Sequence, residues 1–570
     1  MPQPFADRTT PKTPTQTLHP LPPADLSALR DDVANLLTVR RSRLDRLWAY
    51  YRNPMRIGDI LDPSTSARPY RQAQEWGLPT RITGAVAGQG VFDSTSASGI
   101  QRKEVVIEND IGWRIETNVD FLFGRPIILN SAAADPGRAK IIESLLRDIF
   151  AANGGLIFLQ KIALLGAVYG SVDILVKFTP GLAENTDPAC ATQLLGDNGA
   201  AAPAPASSAD SGPSPAEPAS SESAAPDSPA DVSTATGANN PSPQTLQRLA
   251  RMVRFEIVEP TRALPRLSAT DCRCVESFAT VYQLERTADV PPPPPRARRW
   301  WLLRQTQEQP PVDRERRTIV ELITPTAWQK YDDFVLIDEI PNTLGRLPLV
   351  HVQNVADPLA YEGASDVEPL IPLQDELNTR LSDRAYRIAM TSFRMYLGKG
   401  IENFTELPVA PGRMWSTDNL QADVIEFGGD SASPSEESHI SDVRDALDKT
   451  SGVSPVAAGT VKGRIGNLTS AAALRVTMMA LLARTERRRV TYGVAMTQLC
   501  ELALAWLDHA GLFRTSEDDR QVQIHWPSPV PSDEMDRLDE AAAKEKVGVP
   551  RETVLRELGY PAEPEEIVTS

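Results

Sequence analysis

Lys462 and Arg464 are the cationic side chains of a stretch, Ser451–Asn467, that also carries Gly452, Gly459, Gly463, Gly466 and Pro455. So many breakers exclude a helix and leave a loop whose backbone can make wide excursions. Cations on such a loop could meet phosphates and exchange them as a polyanion moves past. The same pattern also fits solvated side chains on an ordinary loop. Arg487, Arg488 and Arg489 stand next to one another, and adjacent residues point in different directions around a helix. They therefore suit a solvated or interfacial role better than a groove for nucleic acid, and Arg487 is assigned to an interface. Arg296, Arg298 and Arg299 beside Trp300 and Trp301 imitate a nucleic-acid patch, but they follow the proline run Pro291–Pro295 and read better as the edge of a strand.

Nothing in the sequence supplies the parts of a catalyst. There is no Gly-x-x-x-x-Gly-Lys-Ser/Thr to cradle phosphates, because Gly459–Gly466 lacks the Lys-Ser/Thr ending and a preceding strand. Gly-x-Ser-x-Gly and His-Glu-x-x-His are also missing. Cys272-Arg273-Cys274 has no second pair at zinc spacing, and the five histidines, His19, His351, His439, His509 and His525, form no ligand or triad pattern. The expectation is a protein without catalytic residues, metal or cofactor. Carboxylate pairs have no fixed spacing, so an enzyme with a diffuse acidic site stays open at this point.

The net charge of −16 would repel DNA if it were spread evenly. It is concentrated instead. Lys177 and Arg248 bracket a segment with eight acidic residues and no basic one, and the chain from Ser532 onward carries eleven acidic against five basic residues. The remaining body is close to neutral. Four scattered cysteines give no disulfide framework, and the first residues lack the pattern of a signal peptide, so synthesis in a reducing cytoplasm is expected. Val490–Leu507 is the most apolar long stretch, but Gln498 and Glu501 interrupt it, which reads as a buried helix and not a membrane span.

The elements read as a mixed α+β chain. A proline-rich arm, residues 1–24, precedes a helical run with Leu29, Val33, Leu36, Leu37, Leu44 and Leu47 on one face, closed by Trp48, Tyr50 and Tyr51 before Asn53-Pro54. Helical spacing returns over Ile141–Tyr169, broken at Gly154-Gly155, and gives way to a strand at Val172–Phe178. Thr179–Arg254 lacks aromatic residues and is dominated by Ala, Pro and Ser, which predicts a disordered insertion. Strands are predicted at Val253–Val258, Ala279–Glu285, Arg317–Thr324 and Phe334–Ile340, an antiparallel sheet. Leu370, Leu373, Leu377, Leu381, Ala385 and Ile388 then mark a long amphipathic helix that can run to Gly398. A short mixed segment, a second helix over 435–450, the glycine-rich loop and a helix of about 60 Å over Thr469–Asp508 follow, with Gly493 a candidate bend. A strand at Gln521–Trp526 and two short helices, Glu534–Lys546 and Arg551–Leu558, end the chain.

This order resembles the portal proteins of tailed bacteriophages, in particular the SPP-one-type portal family. The resemblance rests on Asn118-Val119-Asp120-Phe121-Leu122-Phe123-Gly124-Arg125-Pro126-Ile127 and on Gly345-Arg346-Leu347-Pro348-Leu349-Val350 followed by Asn354. Ser365-Asp366, Leu370-Ile371, Asp375-Glu376-Leu377-Asn378 and Leu381-Ser382-Asp383 continue it in order. The resemblance implies a portal fold: a wing over 25–364 and 468–529, stem helices at 365–397 and 435–450, a clip at 398–434, a tunnel loop at 451–467 and a crown at 530–570. It implies a ring, a dodecamer, at one vertex of the capsid in the virion, assembled in the host cytoplasm. It implies as partners other copies of the chain, double-stranded DNA in the channel, the terminase large subunit, a head-tail adaptor, and capsid and scaffolding proteins, with no membrane. Gly459, Lys462, Gly463, Arg464 and Gly466 then become channel residues. Arg380, Asp383, Arg384 and Arg387 join Arg487 as candidates for the interface between subunits, although pairing within one helix fits their spacing equally well. The rival readings are a packaging ATPase and nuclease of the terminase type, or another head protein such as an adaptor or a capsid subunit.

Overall fold

The computed structural model describes residues 19–57, 70–83, 104–179, 242–271, 274–286, 315–391, 395–400, 419–427, 433–458, 476–529 and 534–558. The leucine run forms α1 (Pro23–Asn35) and α2 (Arg41–Arg52), joined by a π-helical turn at Leu36–Arg40. That turn takes up an extra residue and rotates the buried face, so Leu29, Val33 and Leu36 enter one core while Leu44, Leu47, Tyr50 and Tyr51 enter another. Asn53 ends α2 in the left-handed region at φ 42°. A short ribbon, β1 (Met55–Ile57) with β2 (Tyr70–Gln72), and the single turn α3 (Thr80–Thr83) follow.

Asn109 caps α4 (Asp110–Phe123) by accepting a bond from the Gly112 amide. After β3 (Ile128–Ser131), Asp135 and Pro136 start α5 (Pro136–Ala152), and Gly154 at φ 101° turns the chain by 67° into α6 (Gly155–Tyr169). β4 (Ser171–Phe178) is buried along all but its last residue, the signature of a central strand.

Residues 180–241 of the expected insertion lie outside the described residues, but its last part corrects the expectation. α7 (Pro243–Met252) is a helix, capped by Ser242, with Leu246, Leu249, Ala250 and Met252 buried against α5. Averaged composition over Thr179–Arg254 hid this short amphipathic repeat. β5 (Val253–Val258) joins β4 and the later β11 in a three-stranded antiparallel sheet. A five-stranded antiparallel sheet runs in the order β10-β9-β8-β7-β6, from β6 (Ala263–Leu267), β7 (Val275–Arg286), β8 (Glu315–Ile323), β9 (Ala327–Asp332) and β10 (Val335–Pro341). The sequence does not announce β9, because its buried positions include Gln329 and Lys330. β11 (Leu349–Gln353) pairs with β4 and leads through a loop to α8 (Ile371–Thr391).

α8 is shorter than expected. Its buried apolar stripe stops at Leu381, Ile388 is 42% exposed, and Met395–Lys399 forms a strand, β12, that pairs with β13 (Asp423–Phe427). The helical spacing of the leucines had been extended across residues that favour a pleated ribbon closed by Gly400 at φ 69°. α9 (Pro434–Ser451) packs beside α8, and α10 (Met479–His509) runs through Gly493 as one helix. β14 (Val522–His525) pairs with β3, and α11 (Glu534–Val547) and α12 (Arg551–Leu558) follow.

The largest core collects α4, α5, α6, α7, the three-stranded sheet and the second half of α10. Among the described residues α10 alone is long and apolar enough to cross a membrane, and 61% of its most apolar window is packed inside this core. A second core joins α2, α4 and α6 to α8 and α9.

Candidate functional site

α8 presents Gln374, Asn378 and Ser382 one turn apart on a face that is almost wholly buried. Polar groups so placed cost free energy unless each finds a partner. Here they meet the backbone of 106–109 and the first turn of α4. Gln374 donates to the Glu108 carbonyl at 2.5 Å and accepts from the amides of Asp110 and Ile111 at 3.1 and 3.2 Å. Asn378 accepts from the Glu108 amide at 3.0 Å and donates to Gln74 at 3.0 Å, while Ser382 accepts from the Val106 amide at 3.0 Å. The helix side chains thus supply the partners that a neighbouring strand would otherwise give. Tyr50 donates to Asp375 at 2.7 Å, and Gly77 lies so near that a Cβ there would stand 1.9 Å from the same carboxylate.

The glycine-rich stretch begins at the end of α9, and its first residues are held by two arginines. Gly452 closes α9 at φ 71°. Arg114 of α4, 2% exposed, donates to Ser451 Oγ at 2.9 Å and to the Val453 carbonyl at 2.8 Å, and pairs with Asp110 at 3.1 Å and Asp448 at 2.6 Å. Arg484 of α10 donates to the carbonyls of Ser451 and Thr450 at 2.6 and 2.7 Å. One turn along, Arg488 is buried and pairs with Asp366 at 2.7 Å, and Asp366 also accepts from Asn354 at 3.0 Å. Burial pushes the Arg484 guanidinium below its ordinary range, against the attraction of Asp366. Burial raises Asp448 although Arg114 faces it.

The sequence comparisons bear on this half of the chain. A profile of the family described as "Phage portal protein, SPP1 Gp6-like" matches residues 310–567. Residues 310–567 are thus similar to phage portal proteins of that family. The matched residues hold α8, β12, β13, α9, Gly452, Arg484, Arg488, Asp366 and Asn354, whereas the Asn118–Ile127 segment and Arg114 lie before them. No curated protein matches the chain. Among solved structures 83 chains match. One, described as "Virion of native gene transfer agent (GTA) particle", is 11% identical over 79% of this chain and 89% of that one, at a TM-score of 0.37. A likeness that loose carries no weight beside the family match.

Of the residues singled out from the sequence, Gly459, Lys462, Gly463, Arg464 and Gly466 lie outside the described residues, as do the proline run and Trp300-Trp301. The charged residues of α8 are placed, and most find partners in the same chain. Arg380 pairs with Glu376 at 2.7 Å and lies 3.7 Å from Asp383. Asp383 also meets Arg81 of α3, and Arg387 meets Glu436 of α9. Arg384 is half-buried and Arg487 is exposed. Burial would raise Glu376, but bonds from His439 and Arg380 outweigh it and leave that carboxyl below its ordinary range. Within the arginine triplet, Arg488 is internal and Arg489 packs on Trp526 while donating to the Pro527 carbonyl at 2.6 Å.

The sequence reading missed Arg114, Arg484 and Gln374 entirely. It also treated His351 as isolated, whereas the fold sets its Nδ1 2.8 Å from Asp173 Oδ1 and its Nε2 2.7 Å from the Tyr361 carbonyl. Tyr361 donates to the same carboxylate oxygen at 2.7 Å and its ring stacks on the imidazole. Both ring nitrogens are engaged within the fold.

Proposed function

We propose that the chain is a portal subunit: copies of it form a closed ring at one capsid vertex, and DNA enters and leaves the head through the central channel. The observation that carries this reading is the family match over 310–567, because it takes in the ordered set of helix, ribbon, helix, loop root and long helix in one span. In this reading α8 and α9 form the stem, β12 and β13 belong to the clip, the residues after Ser451 to the tunnel loop, α10 to the wing, and α11 and α12 to the crown. The terminase large subunit, a head-tail adaptor and capsid and scaffolding proteins dock on the ring, which makes the chain a structural component of the virion and no enzyme.

Exposed apolar side chains support self-association. Met479, Val490 and Val494 lie on the open side of α10 with Val476 just before it, Val335, Ile337 and Ile340 on the edge strand β10, and Leu397 faces Ile425 across the β12–β13 ribbon. An isolated two-stranded ribbon is marginal in water, and two unlike apolar faces on one subunit suit head-to-tail contacts that close a ring. The purified chain should give closed rings in negative-stain images and a scattering mass of many subunits at low and physiological salt. A mass of one or two chains in both would overturn the reading, as would ATP hydrolysis by the purified chain.

A further inference from the structure

The segment that leads into α8 and the residues that open the glycine-rich stretch are both held by arginines of α10, Arg488 and Arg484. Asp366, 10% exposed at its side chain, bonds Arg488, and Arg484 stands one helical turn before Arg488 on α10. Arg484 spends two of its guanidinium nitrogens on the carbonyls that end α9. Asp366 is itself fixed from the other side, by Asn354 and by its own amide, which donates to the Ala167 carbonyl at 2.9 Å. Removing its charge would leave two guanidiniums at positions i and i+4 without that anion, and like charges at that spacing repel. Arg488 cannot move to solvent, because it is 2% exposed and packed beside Tyr492. Arg484, only half-buried, is the side chain that can yield, and its hold on Thr450 and Ser451 goes with it.

We propose that Asp366, Arg488 and Arg484 couple the start of α8 to the point where the chain leaves α9, so that the position of Ser451–Val453 depends on the seating of Asp366. These are positioning residues. Arg114 supplies a fixed second grip, and Arg484 the one that can be released. The proposal rests on the portal reading only for its consequence, which is that the seat of the stem helix sets the root of the tunnel loop.

Hydrogen exchange followed by mass spectrometry on the full chain tests the coupling without reference to DNA. Asp366→Asn should speed exchange at the amides of 452–457 about fivefold or more, the lower end for coupled sites, although Asp366 touches none of them. Glu368→Gln, which removes an exposed pair with Arg43 in the same segment, should leave 452–457 unchanged. Coupling is reciprocal, so Arg484→Met should speed exchange at 366–370. That second variant decides the matter if Asp366→Asn fails to fold. Exchange confined to the neighbourhood of each substitution would overturn the proposal. Native mass of the same samples reports separately on ring formation, so a failure of the portal reading is distinguishable from a failure of the coupling.

Discussion

At the scale of single residues the chain stores its most specific information in glycines and buried charges. Gly452 and Gly345 share the left-handed backbone, at φ 71° and 70°, but a Cβ at Gly345 would meet nothing within 4 Å, whereas one at Gly452 would stand 2.7 Å from Arg484 Nε. Arg484 is held there by two carbonyls, so making room for a Cβ breaks those bonds. Gly345→Ala should therefore cost about 1 kcal/mol of stability for the backbone alone, and Gly452→Ala clearly more, about 2–3 kcal/mol, read as the difference in urea midpoints. Equal midpoints would show that Arg484 does not hold its place. The thiols give a second contrast. Cys274 is exposed, while burial pushes the Cys500 thiol up to about 12. The thiolate is the reactive form, so brief alkylation of the native protein at pH 8 should modify Cys274 and leave Cys500 unmodified until denaturant is added, as peptide mapping would show. The motif residues Asn354, Ser365 and Asp366 were visible in the sequence as a resemblance, but their work was not. Their partners Arg488, Tyr492 and Val168 come from distant elements that only the fold brings near.

At the scale of elements, what the sequence shows depends on how far the apolar period runs. The leucines of α1, α2 and α8 and the long run of α10 repeat for several turns and are legible as helices. The end of α8 was misread, because Ile388 keeps the helical period although it faces out. α7 was lost for the opposite reason: four buried residues, Leu246, Leu249, Ala250 and Met252, sit at the edge of a stretch whose average composition is that of a disordered chain. This revises what can be removed. Replacing residues 182–240 with a flexible linker of about ten residues, enough to span the roughly 15 Å of α7, should leave thermal stability and assembly unchanged. Extending the deletion through Met252 should not. It uncovers the face of α5 on which α7 packs and takes Leu246 and Leu249 out of the main core, where deleting one buried leucine side chain costs about 2–5 kcal/mol. A shorter deletion as damaging as the longer one would mean that the acidic segment, despite its composition, holds part of the fold.

At the scale of the whole molecule, the charge distribution and the loop root point the same way. Half of the net charge of −16 lies between Lys177 and Arg248, before the glycine-rich stretch, and most of the remainder in the final residues, so the body that would line a channel is close to neutral. A conduit that gripped phosphates strongly would have to break those contacts at every step, and a near-neutral wall with a few exchangeable cations avoids that cost. Lys462 and Arg464 are the cations available on the stretch that follows Val453. Because Arg114 and Arg484 fix Thr450–Val453 from outside this stretch, shortening the chain beyond Ala458 removes length without touching its root. Rings should therefore still form. Packaging of DNA into heads assembled with such rings should fail, since the segment could no longer reach across from wall to duplex. Lys462→Ala with Arg464→Ala should reduce packaging more mildly and weaken its dependence on salt, because exchangeable contacts to phosphate assist motion without powering it. The measurement is DNA packaged per head, beside ring counts from electron microscopy. Full packaging by the shortened ring would remove the channel role from this segment, and loss of the ring itself would show that residues after 458 serve assembly.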